Sequence, residues 1–529
     1  MTIARSIVLS GPMGVGKSTV ARALAERTGV PLVDVDLAIE EAAGKPVARI
    51  FADEGEAAFR AREATTIARL LDGASPMVLA LGGGAVLHQA TRRALVHRTI
   101  VVSLRASPQT LLARIGPAGV AARPLLAGDP DPAARLASIT RERHAAYAEA
   151  HAIVDTEHRS PDELARAIEA LWRRDPVLVP LGARSYRVEV GHGVRALLPQ
   201  LVADLAAHRV LVVSDDRIWP LIFRSIEPVL AATRSSRVLL EAGETHKTIA
   251  SVERIWDAAA AGDLDRGGVI LAVGGGVVGD LAGFAAATWL RGVRFVQVPT
   301  TLLAMVDASV GGKTAIDRAQ GKNLVGAFHQ PSAVVADLDL LATLPPRDLR
   351  SGLAEIVKTA LIGDEALLQR LEATSDLASD PAALLAVVRA SIAYKARVVA
   401  EDERDVSGAR AALNFGHTVG HALEVHGGYD RWTHGEAVAL GMIAALRVGV
   451  VRGRTPASLL ERATRLLVRC GLPVELDLDE LRAALPFVAR DKKREGAAVS
   501  YVLVPAMGQS ERVLLGLDDL QRALLHGRA

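Results

Sequence analysis

Histidines and acids grouped late in the chain have the types and spacing of metal ligands. His417, His421 and Glu424 fall at i, i+4 and i+7 of one helical stretch, and His434 and Glu436 follow at the head of the next. Side chains at such spacing share one stripe, with neighbouring Cβ atoms about 5 to 6 Å apart. Imidazole nitrogens with one carboxylate suit zinc, and three protein ligands leave a position for a substrate oxygen. The pattern therefore predicts a divalent metal site.

The spacing does not choose the remaining ligands of this site. Glu424, Glu436 and His421 all qualify, and so does Glu355, much earlier in the chain. Glu355 and Lys358 are three residues apart on one predicted helical face, where an exposed ion pair would be the ordinary interpretation. Their neighbours in the sequence are apolar, which favours a partly buried site.

A glycine-rich turn in the middle of the chain has the pattern of a pyrophosphate site. The bare apolar run 269–273 suits a strand buried on both faces, and Gly274, Gly276 and Gly279 then fit G-x-G-x-x-G, followed at once by Asp280. This pattern lets the backbone approach a pyrophosphate and points a helix N-terminus at its charge. The acidic residue expected about twenty positions later is missing, so this is not the ordinary dinucleotide fingerprint.

A second glycine-rich stretch, near the start of the chain, predicts nucleoside triphosphate binding. The apolar run 6–9 leads into residues 11–18, a complete G-x-x-x-x-G-K-S, and a helical pattern begins directly after it. Amides of such a loop wrap phosphates, while the lysine reaches the transferring phosphate and the serine hydroxyl holds magnesium. The motif does not identify the acceptor. The predicted nucleotide contacts are Gly14, Gly16, Lys17, Ser18 and Thr19.

Hydrophobic patterning divides the chain into the elements that must position these groups. Strand-like runs alternate with helical patterns as far as residue 345, which is typical of α/β folds, and long amphipathic helices follow. Residues 32–36 read as a strand that ends on Asp34 and Asp36, at the sheet edge where ligands of open α/β folds bind. We predict a P-loop domain with a parallel sheet at 1–173, a linker at 174–179, a Rossmann-like α/β domain at 180–345 and a mainly α-helical domain at 346–529.

Composition excludes several classes of function. The 62 cations and 60 anions are spread along the chain, so no basic block marks nucleic acid or an anionic membrane as a partner. Cys470 is the single cysteine, which excludes an internal disulfide and any multi-cysteine metal site. The most apolar long window, 269–290, contains Asp280 and five glycines, so we expect no membrane span. We predict a cytoplasmic protein that acts on small molecules.

Residues 1–173 resemble shikimate kinase. The resemblance rests on the phosphate loop, the Asp34-Val35-Asp36 and Phe59-Arg60 sequences and the glycine triplet 82–84, which together favour it over gluconate-type and adenylate-type kinases. It implies phosphoryl transfer from ATP, with Mg²⁺ served by Ser18 and Asp34. Asp36 would be the base, and Arg123 would close over the ATP phosphates beside Lys17. The implied shikimate contacts are Asp36, Arg60, Gly82, Gly83 and Arg143.

The motifs at 274–280, 291–294, 298–303, 306–314 and 321–330 resemble 3-dehydroquinate synthase in their order and spacing. The resemblance implies zinc, with Co²⁺ as an alternative, held by Glu355, His417 and His434. The implied NAD contacts are Glu244, Lys247, Gly275, Gly276, Val277, Val278, Gly279, Asp280, Thr300, Thr301, Lys313, Lys322 and Thr343. The implied catalytic residues are Arg291, Asp307, Lys313, Lys358, Lys395, Arg410, Asn414, His421 and Lys492, with the choice between Lys492 and Lys493 left open.

Together the two resemblances imply a fusion of two enzymes of aromatic amino-acid biosynthesis. The first half would phosphorylate shikimate, and the second would convert the seven-carbon keto sugar-acid phosphate DAHP into 3-dehydroquinate. NAD would oxidise an alcohol transiently, zinc would polarise substrate oxygens, and phosphate would leave by elimination. The resemblance also implies a homodimer formed through the synthase half.

Two other functions remain open at the level of sequence. The second half would instead be a metal- and NAD-dependent polyol dehydrogenase if it accumulated NADH with glycerol-like alcohols and released no phosphate from DAHP. The first half would be a regulatory P-loop module if it bound ATP without forming ADP in the presence of shikimate.

Overall fold

Bare apolar runs in this sequence become buried parallel strands, because such runs suit a sheet that is covered on both faces. The computed structural model describes residues 3–121, 123, 125–374, 376–488, 494–495 and 498–526. The chain forms two compact units, Met1–Val188 and Glu189–Ala529. The boundaries that the sequence predicts at 173, 179 and 345 stay predictions.

The first unit is a parallel sheet with helices on both faces. Its strands are β1 (Ser6–Ser10), β2 (Leu32–Asp34), β3 (Val78–Ala80), β4 (Thr99–Arg105) and β5 (Ala152–Asp155). Its helices are α1 (Lys17–Thr28), α2 (Val35–Ala43), α3 (Val47–Leu71), α4 (Gln89–Arg98), α5 (Pro108–Ala121), α6 (Pro132–Glu142), α7 (His144–Ala148) and α8 (Pro161–Arg174). The strand order is β2-β3-β1-β4-β5, and all the pairings are parallel.

Alternation along β1 builds the two cores of this unit. Ile7 and Leu9 pack with α1 and α8 on one face, whereas Val8 packs with α2 and α3 on the other. α8 begins with the capping box that the sequence indicates, in which the Ser160 side chain accepts a hydrogen bond from the Glu163 amide. A short strand, β6 (Val177–Val179), then pairs antiparallel with β7 (Tyr186–Gly191), within which the boundary between the units falls.

The second unit begins with a Rossmann-like α/β part. Its elements are α9 (Leu198–Asp204), β8 (Arg209–Asp215), α10 (Trp219–Ala232), β9 (Arg234–Leu240), α11 (Ile249–Ala261), β10 (Val269–Gly274), α12 (Gly276–Thr288), β11 (Arg294–Pro299), β12 (Lys313–Arg318), β13 (Gly321–Phe328) and β14 (Ala333–Asp337). The parallel strands run in the order β14-β11-β10-β8-β9. β12 and β13 form a separate antiparallel hairpin that the sequence patterning did not predict.

The rest of the second unit is mainly helical. Its elements are α13 (Pro346–Gly363), α14 (Glu365–Ala373), α15 (Pro381–Glu401), α16 (His417–His426), α17 (His434–Val451), α18 (Ala457–Arg469), α19 (Leu478–Val488), β15 (Arg494–Glu495), β16 (Ala498–Ala506), β17 (Gln509–Gly516) and α20 (Leu517–His526). Among the described helices, α17 alone is long and apolar enough to cross a bilayer, but 72% of it is buried inside the protein. The predicted order of a parallel P-loop sheet, a Rossmann-like part and a helical part is confirmed.

Candidate active sites

The phosphate loop of the first unit wraps the N-terminus of α1. Gly14 and Gly16 have φ angles of 79° and 95°, in the left-handed region that favours glycine. The Lys17 ammonium donates to the carbonyls of Gly11 and Pro12, each at 3.0 Å. Burial lowers the pKa of Lys17 to about 8, although Asp36 and Asp34 oppose this shift. Thr19 is exposed in the first turn of α1.

Two acids stand beside this loop, and one of them lies on a different element from the one predicted. The strand β2 ends at Asp34, and Asp36 lies in the first turn of α2. The sequence interpretation of residues 32–36 as a continuous strand is therefore wrong, because Asp34 caps the helix by accepting from the Asp36 amide at 3.2 Å. Asp34 also accepts from the Ser18 hydroxyl at 2.8 Å, which joins the two predicted magnesium residues.

The residues predicted to contact the phosphoryl acceptor form a cluster of opposite charges. Arg60 donates to Glu63 at 2.7 Å, and Glu63 is only 2% exposed. A Cβ atom on Gly82 would come within 2.8 Å of carboxylate oxygens of both Asp36 and Glu63, and one on Gly84 would overlap the Arg60 guanidinium. The glycine triplet therefore leaves room for these side chains. Burial raises the pKa of Asp36, with Asp34 adding to the effect, which makes its carboxylate a stronger base.

Arg143 closes the other side of the glycine triplet. Its guanidinium donates to the Gly83 carbonyl at 3.2 Å, and the Tyr147 hydroxyl donates to the same oxygen at 2.6 Å. Arg123 donates to the Gly119 carbonyl at 2.8 Å, and its charge helps to lower the pKa of Lys17. The structure thus brings Asp36, Arg60, Gly82, Gly83, Arg143, Arg123 and Lys17 together around one site.

The second unit gathers metal-type ligands from three helices. The side chains of Glu355 on α13, His417 on α16 and His434 on α17 offer ligand atoms that all lie within 4.8 Å of one another. Glu355 Oε1 lies 3.6 Å from His417 Nε2 and 3.7 Å from His434 Nε2. Ligands at about 2.1 Å from a tetrahedral ion stand roughly 3.4 Å apart, so these separations fit a zinc-sized ion.

Neighbouring groups orient both imidazoles toward that point. His417 Nδ1 lies 3.1 Å from the Phe415 carbonyl, and His434 Nδ1 lies 3.3 Å from Glu424 Oε2, so each ring presents its Nε2 atom to Glu355. Glu355 Oε1 is buried and has no hydrogen-bond partner, whereas its other oxygen accepts from Lys358. A bound cation would give this buried carboxylate oxygen the partner that it lacks.

A second group of described residues, His421, Glu424 and His434, also offers ligand atoms within 4.8 Å of one another, whereas Glu436 is in neither group. Glu436 caps α17 and binds Arg347 through both oxygens, at 2.9 and 2.7 Å. Glu424 supports His434, and His421 stands beside the cluster, its ring centroid 5.2 Å from that of His417. Burial opposes a charge on His434, but the neighbouring carboxylates of Glu424 and Glu355 outweigh this effect and raise the pKa of His434 to about 10.

The glycine-rich turn joins β10 to α12, as the pattern predicts. Gly275 is the N-cap of α12, and Gly276, Val277, Val278, Gly279 and Asp280 form its first turns, so the helix N-terminus faces this turn. Cβ atoms on Gly275 and Gly276 would lie 3.4 Å from Thr301 and Ala308. Thr300 donates its amide to the Gly274 carbonyl at 3.0 Å, which places the second turn, at the end of β11, beside the first.

A buried ion pair supports this turn. Lys247 Nζ lies 2.6 Å from Asp280 Oδ2 and donates to Asn323 Oδ1 at 2.6 Å. Burial raises the pKa of Asp280 to about 6, although Lys247 opposes the shift. Glu244, at the start of the neighbouring 3₁₀ turn, lies 3.3 Å from Lys322 on β13. The hairpin β12-β13 therefore places Lys322 and Asn323 against Glu244 and Lys247, and Lys247 in turn contacts Asp280 in α12.

Three further cationic residues make contacts in the second unit. Lys395 on α15 donates to the Asp307 carboxylate at 2.5 Å, and the charges of Lys395 and Lys358 hold the pKa of Asp307 below its usual range against the effect of burial. Arg410 is 2% exposed and donates to the Gly311 carbonyl at 3.1 Å. Lys313 pairs with Asp405 at 2.6 Å.

The remaining predicted residues have different placements. Thr343 ends the 3₁₀ helix Leu338–Thr343, and Asn414 ends the 3₁₀ helix Ala409–Asn414 directly before the segment that carries His417. Arg291 is exposed and precedes β11. It therefore lies near the N-terminal end of this strand, whereas the paired residues Gly274 and Pro299 lie at the C-terminal ends of β10 and β11. The structure does not bring Arg291 to the site of its own chain. Lys492 and Lys493 lie outside the described residues.

Sequence reasoning did not name several partners of the predicted site residues. Glu63, Asn323 and Asp405 each contact a predicted site residue, at 2.7, 2.6 and 2.6 Å. Glu63 and Arg60 are three residues apart in α3, a helical spacing that could have indicated their pairing. The contacts of Asn323 and Asp405 span 76 and 92 residues, and no local pattern signals them.

Comparison with protein families matches most of the chain. The model for shikimate kinase matches residues 13–172. The model for the N-terminal part of 3-dehydroquinate synthase matches residues 237–351, and the model for its C-terminal part matches residues 352–494. These segments carry the two groups of side chains described above.

Individual relatives agree with these matches. The chain is 44% identical to 3-dehydroquinate synthase of Thermosynechococcus vestitus over 361 residues, which cover 66% of this chain and 97% of that protein. A 2-deoxy-scyllo-inosose synthase structure with carbaglucose-6-phosphate, NAD⁺ and Co²⁺ is similar at a TM-score of 0.61 and 25% identity, covering 67% of this chain and 100% of that one. The 2-epi-5-epi-valiolone synthase of Streptomyces hygroscopicus subsp. jinggangensis 5008, with NAD⁺ and Zn²⁺ bound, gives a TM-score of 0.58 at 30% identity, covering 65% and 96%.

Proposed function

We propose a two-enzyme function for this chain, which belongs to the 3-dehydroquinate synthase family and carries a shikimate kinase domain ahead of it. The first unit transfers the terminal phosphoryl group of ATP to shikimate. The second unit converts DAHP into 3-dehydroquinate with loss of phosphate. The single observation that supports the second assignment best is the meeting of Glu355, His417 and His434 from three helices.

The residues of the kinase site have complementary tasks in this proposal. Ser18 and Asp34, already in contact, would hold Mg²⁺, and Lys17 would bind the transferring phosphate. Asp36 would accept the proton of the attacking hydroxyl, and the charge on Arg60 would bind the shikimate carboxylate. The pairing of Arg60 with buried Glu63 limits the directions in which the guanidinium can point.

The residues of the synthase site would bind and orient an anionic substrate. Glu355, His417 and His434 fit a divalent ion, Zn²⁺ or Co²⁺, and the glycine-rich turn fits the pyrophosphate of NAD. When bound, these groups would supply Lewis acidity and reversible hydride acceptance. Lys358, Lys395 and Arg410 would bind the substrate carboxylate and phosphate, and His421 is placed to exchange a proton beside the ligands.

Separate assays of the purified chain test both assignments. We expect phosphate release from DAHP that requires NAD and stops with a transition-metal chelator, and ADP formation that requires shikimate and Mg²⁺. NADH accumulation with glycerol-like alcohols and no phosphate from DAHP would instead identify a polyol dehydrogenase. ATP binding without shikimate-dependent ADP formation would identify a regulatory P-loop module.

We also propose that the synthase part forms a homodimer in the cytoplasm, with no nucleic acid or membrane partner. Apolar side chains on β13 support self-association, since Leu324, Val325 and Phe328 are 48%, 43% and 46% exposed. The balanced charge of +2 gives no support to a nucleic acid partner. Sedimentation equilibrium tests the dimer, and a monomer at micromolar concentration would contradict it.

A further inference from the structure

Tyr429 has a backbone conformation that L-residues other than glycine rarely adopt. It lies in the turn between α16 and α17, with a φ angle of 65°, directly after Gly428 at 62°. A bulky residue in the left-handed region costs on the order of 1 to 3 kcal/mol, and such strain clusters at functional sites. Its amide donates to the Glu424 carbonyl at 2.9 Å, which fixes Tyr429 beside the metal site.

The ring of Tyr429 lies against the ammonium group of Lys322. Lys322 Nζ is 4.0 Å from the ring centroid, within the range of a cation–π interaction. The same ammonium lies 3.3 Å from Glu244 Oε1 and 3.6 Å from Glu424 Oε1. A lysine side chain has many rotamers, so the ring selects the one in which Lys322 bridges the two carboxylates.

This bridge connects two parts of the site that come from distant stretches of sequence. Glu244 belongs to the turn beside the glycine-rich loop, and Glu424 uses its other oxygen to orient His434 at 3.3 Å. Glu244, Lys322, Glu424 and His434 therefore form a continuous row of contacts from the proposed dinucleotide site to the proposed metal site. A change at one end of such a row alters the orientation of groups at the other.

We propose that Tyr429 is a positioning residue whose ring holds Lys322 between Glu244 and Glu424 and thereby couples dinucleotide binding to metal binding. This inference rests on the proposed synthase function. Because coupling between binding sites is reciprocal, NAD raises the affinity for the divalent ion, and the ion raises the affinity for NAD by the same factor.

Three substitutions of Tyr429 test the inference in the full-length chain. Tyr429→Phe keeps the ring, Tyr429→Leu removes it at the same backbone cost, and Tyr429→Asn removes it while accepting the left-handed conformation readily. NAD affinity is measured by fluorescence titration, and Zn²⁺ affinity by equilibrium competition with a colorimetric chelator, with and without NAD. Val425→Ala, an exposed apolar change next to Glu424 on the same helix, is the control.

We expect Tyr429→Phe and Val425→Ala to match the unchanged chain within a factor of two. Tyr429→Leu and Tyr429→Asn should bind NAD about two- to fivefold more weakly, the size of a partly exposed cation–π contact, and NAD should no longer raise their Zn²⁺ affinity. The Asn variant should have an unfolding midpoint at least as high as the Leu variant, which separates positioning from folding.

Two results overturn the inference while leaving the proposed function in place. One is NAD binding and coupling in the Leu and Asn variants equal to those of the unchanged chain. The other is an equal loss in Tyr429→Phe and Tyr429→Leu, which would assign the effect to the hydroxyl. If the unchanged chain binds no NAD and releases no phosphate from DAHP, the proposed function fails, and the inference fails with it.

Discussion

Single residues in both sites hold charges that their surroundings would otherwise suppress. Lys17, Asp280 and Asp36 all have pKa values that burial shifts toward the neutral form, and each has an opposite charge that partly restores the charged form. Such groups respond strongly when a ligand adds or removes charge nearby, because the local environment screens less than water does. Binding should therefore change their protonation.

Binding of MgATP should raise the pKa of Lys17 and take up a proton. With a pKa of about 8, Lys17 is about half neutral at pH 8 in the free chain, and the phosphates favour its charged form. We expect uptake of up to about half a proton at pH 8 and much less at pH 6.5. Calorimetry in buffers of different ionisation enthalpy measures it, and Lys17→Met should abolish the uptake at pH 8. Equal uptake in that variant would contradict the assignment.

Glu424→Gln should weaken metal binding without removing a ligand. The amide orients His434 less strongly than a carboxylate, and losing such support typically costs about 10- to 100-fold in metal affinity. Chelator competition with Zn²⁺ measures the change. Glu436→Gln is the matched control, since Glu436 contacts Thr433 and Arg347 instead, and it should lower stability by about 1 kcal/mol while keeping metal affinity. The reverse order of effects would make Glu436 the metal-supporting acid.

At the scale of elements, glycines allow α13, α16 and α17, the helices that carry Glu355, His417 and His434, to approach one another closely. A Cβ atom on Gly435 of α17 would overlap the backbone of Ser351 on α13, and one on Gly441 would overlap the Gly416 carbonyl at the start of α16. The Gly435 amide also donates to the Ser351 hydroxyl at 2.9 Å. Because Gly435 follows His434 directly, this contact fixes the distance between His434 and Glu355.

Gly435→Ala should therefore separate α17 from α13 and disrupt the metal site. Backbone atoms of Ser351 cannot move aside as a flexible side chain can, so we expect about 1 to 3 kcal/mol of destabilisation, as in overpacked cores. Bound Zn²⁺ per chain, measured by elemental analysis, should fall well below that of the unchanged chain. Shikimate-dependent ADP formation by the same sample is the internal control. Full Zn²⁺ occupancy would show that the helices tolerate the extra methyl group.

At the scale of the whole molecule, each unit has the hydrophobic core and the polar cluster that its proposed reaction needs. The first unit packs two cores around β1, and a core of the second unit packs around β10 and α12. Ser18, Asp34 and Asp36 belong to the first unit, and Glu355, His417 and His434 belong to the second. We infer that either site can be disabled without unfolding the other unit.

Paired substitutions should separate the two activities. Asp36→Asn should lower ADP formation at least about 100-fold, as expected for loss of a general base, and leave phosphate release from DAHP within a factor of two. His417→Ala should do the reverse, because it removes a metal ligand. Both rates are measured on each variant. A fall of both rates in either variant would show that the units depend on each other.

The sequence by itself determined the two phosphate-binding turns and the fold class, because these depend on local spacing. Glycines at fixed offsets after an apolar run predict strand, turn and helix, and both turns lie where the pattern places them. The stripe of His417 and His421 likewise follows from helical periodicity on α16. The hairpin β12-β13 has no comparable sequence pattern of an apolar run followed by glycines. Its two strands pair only with each other, outside the main sheet.

Only the tertiary structure shows which acids lie beside the histidines and which residues those acids contact. Glu355 is 62 residues before His417, Glu424 and Glu436 are closer in sequence, and all three carry the same chemical group. The packing of α13 against α17 brings Glu355 to His417 and His434, Glu424 lies beside His421 and His434, and Arg347 binds Glu436. Local periodicity determines which face of a helix a residue occupies, but long-range packing determines what that face meets.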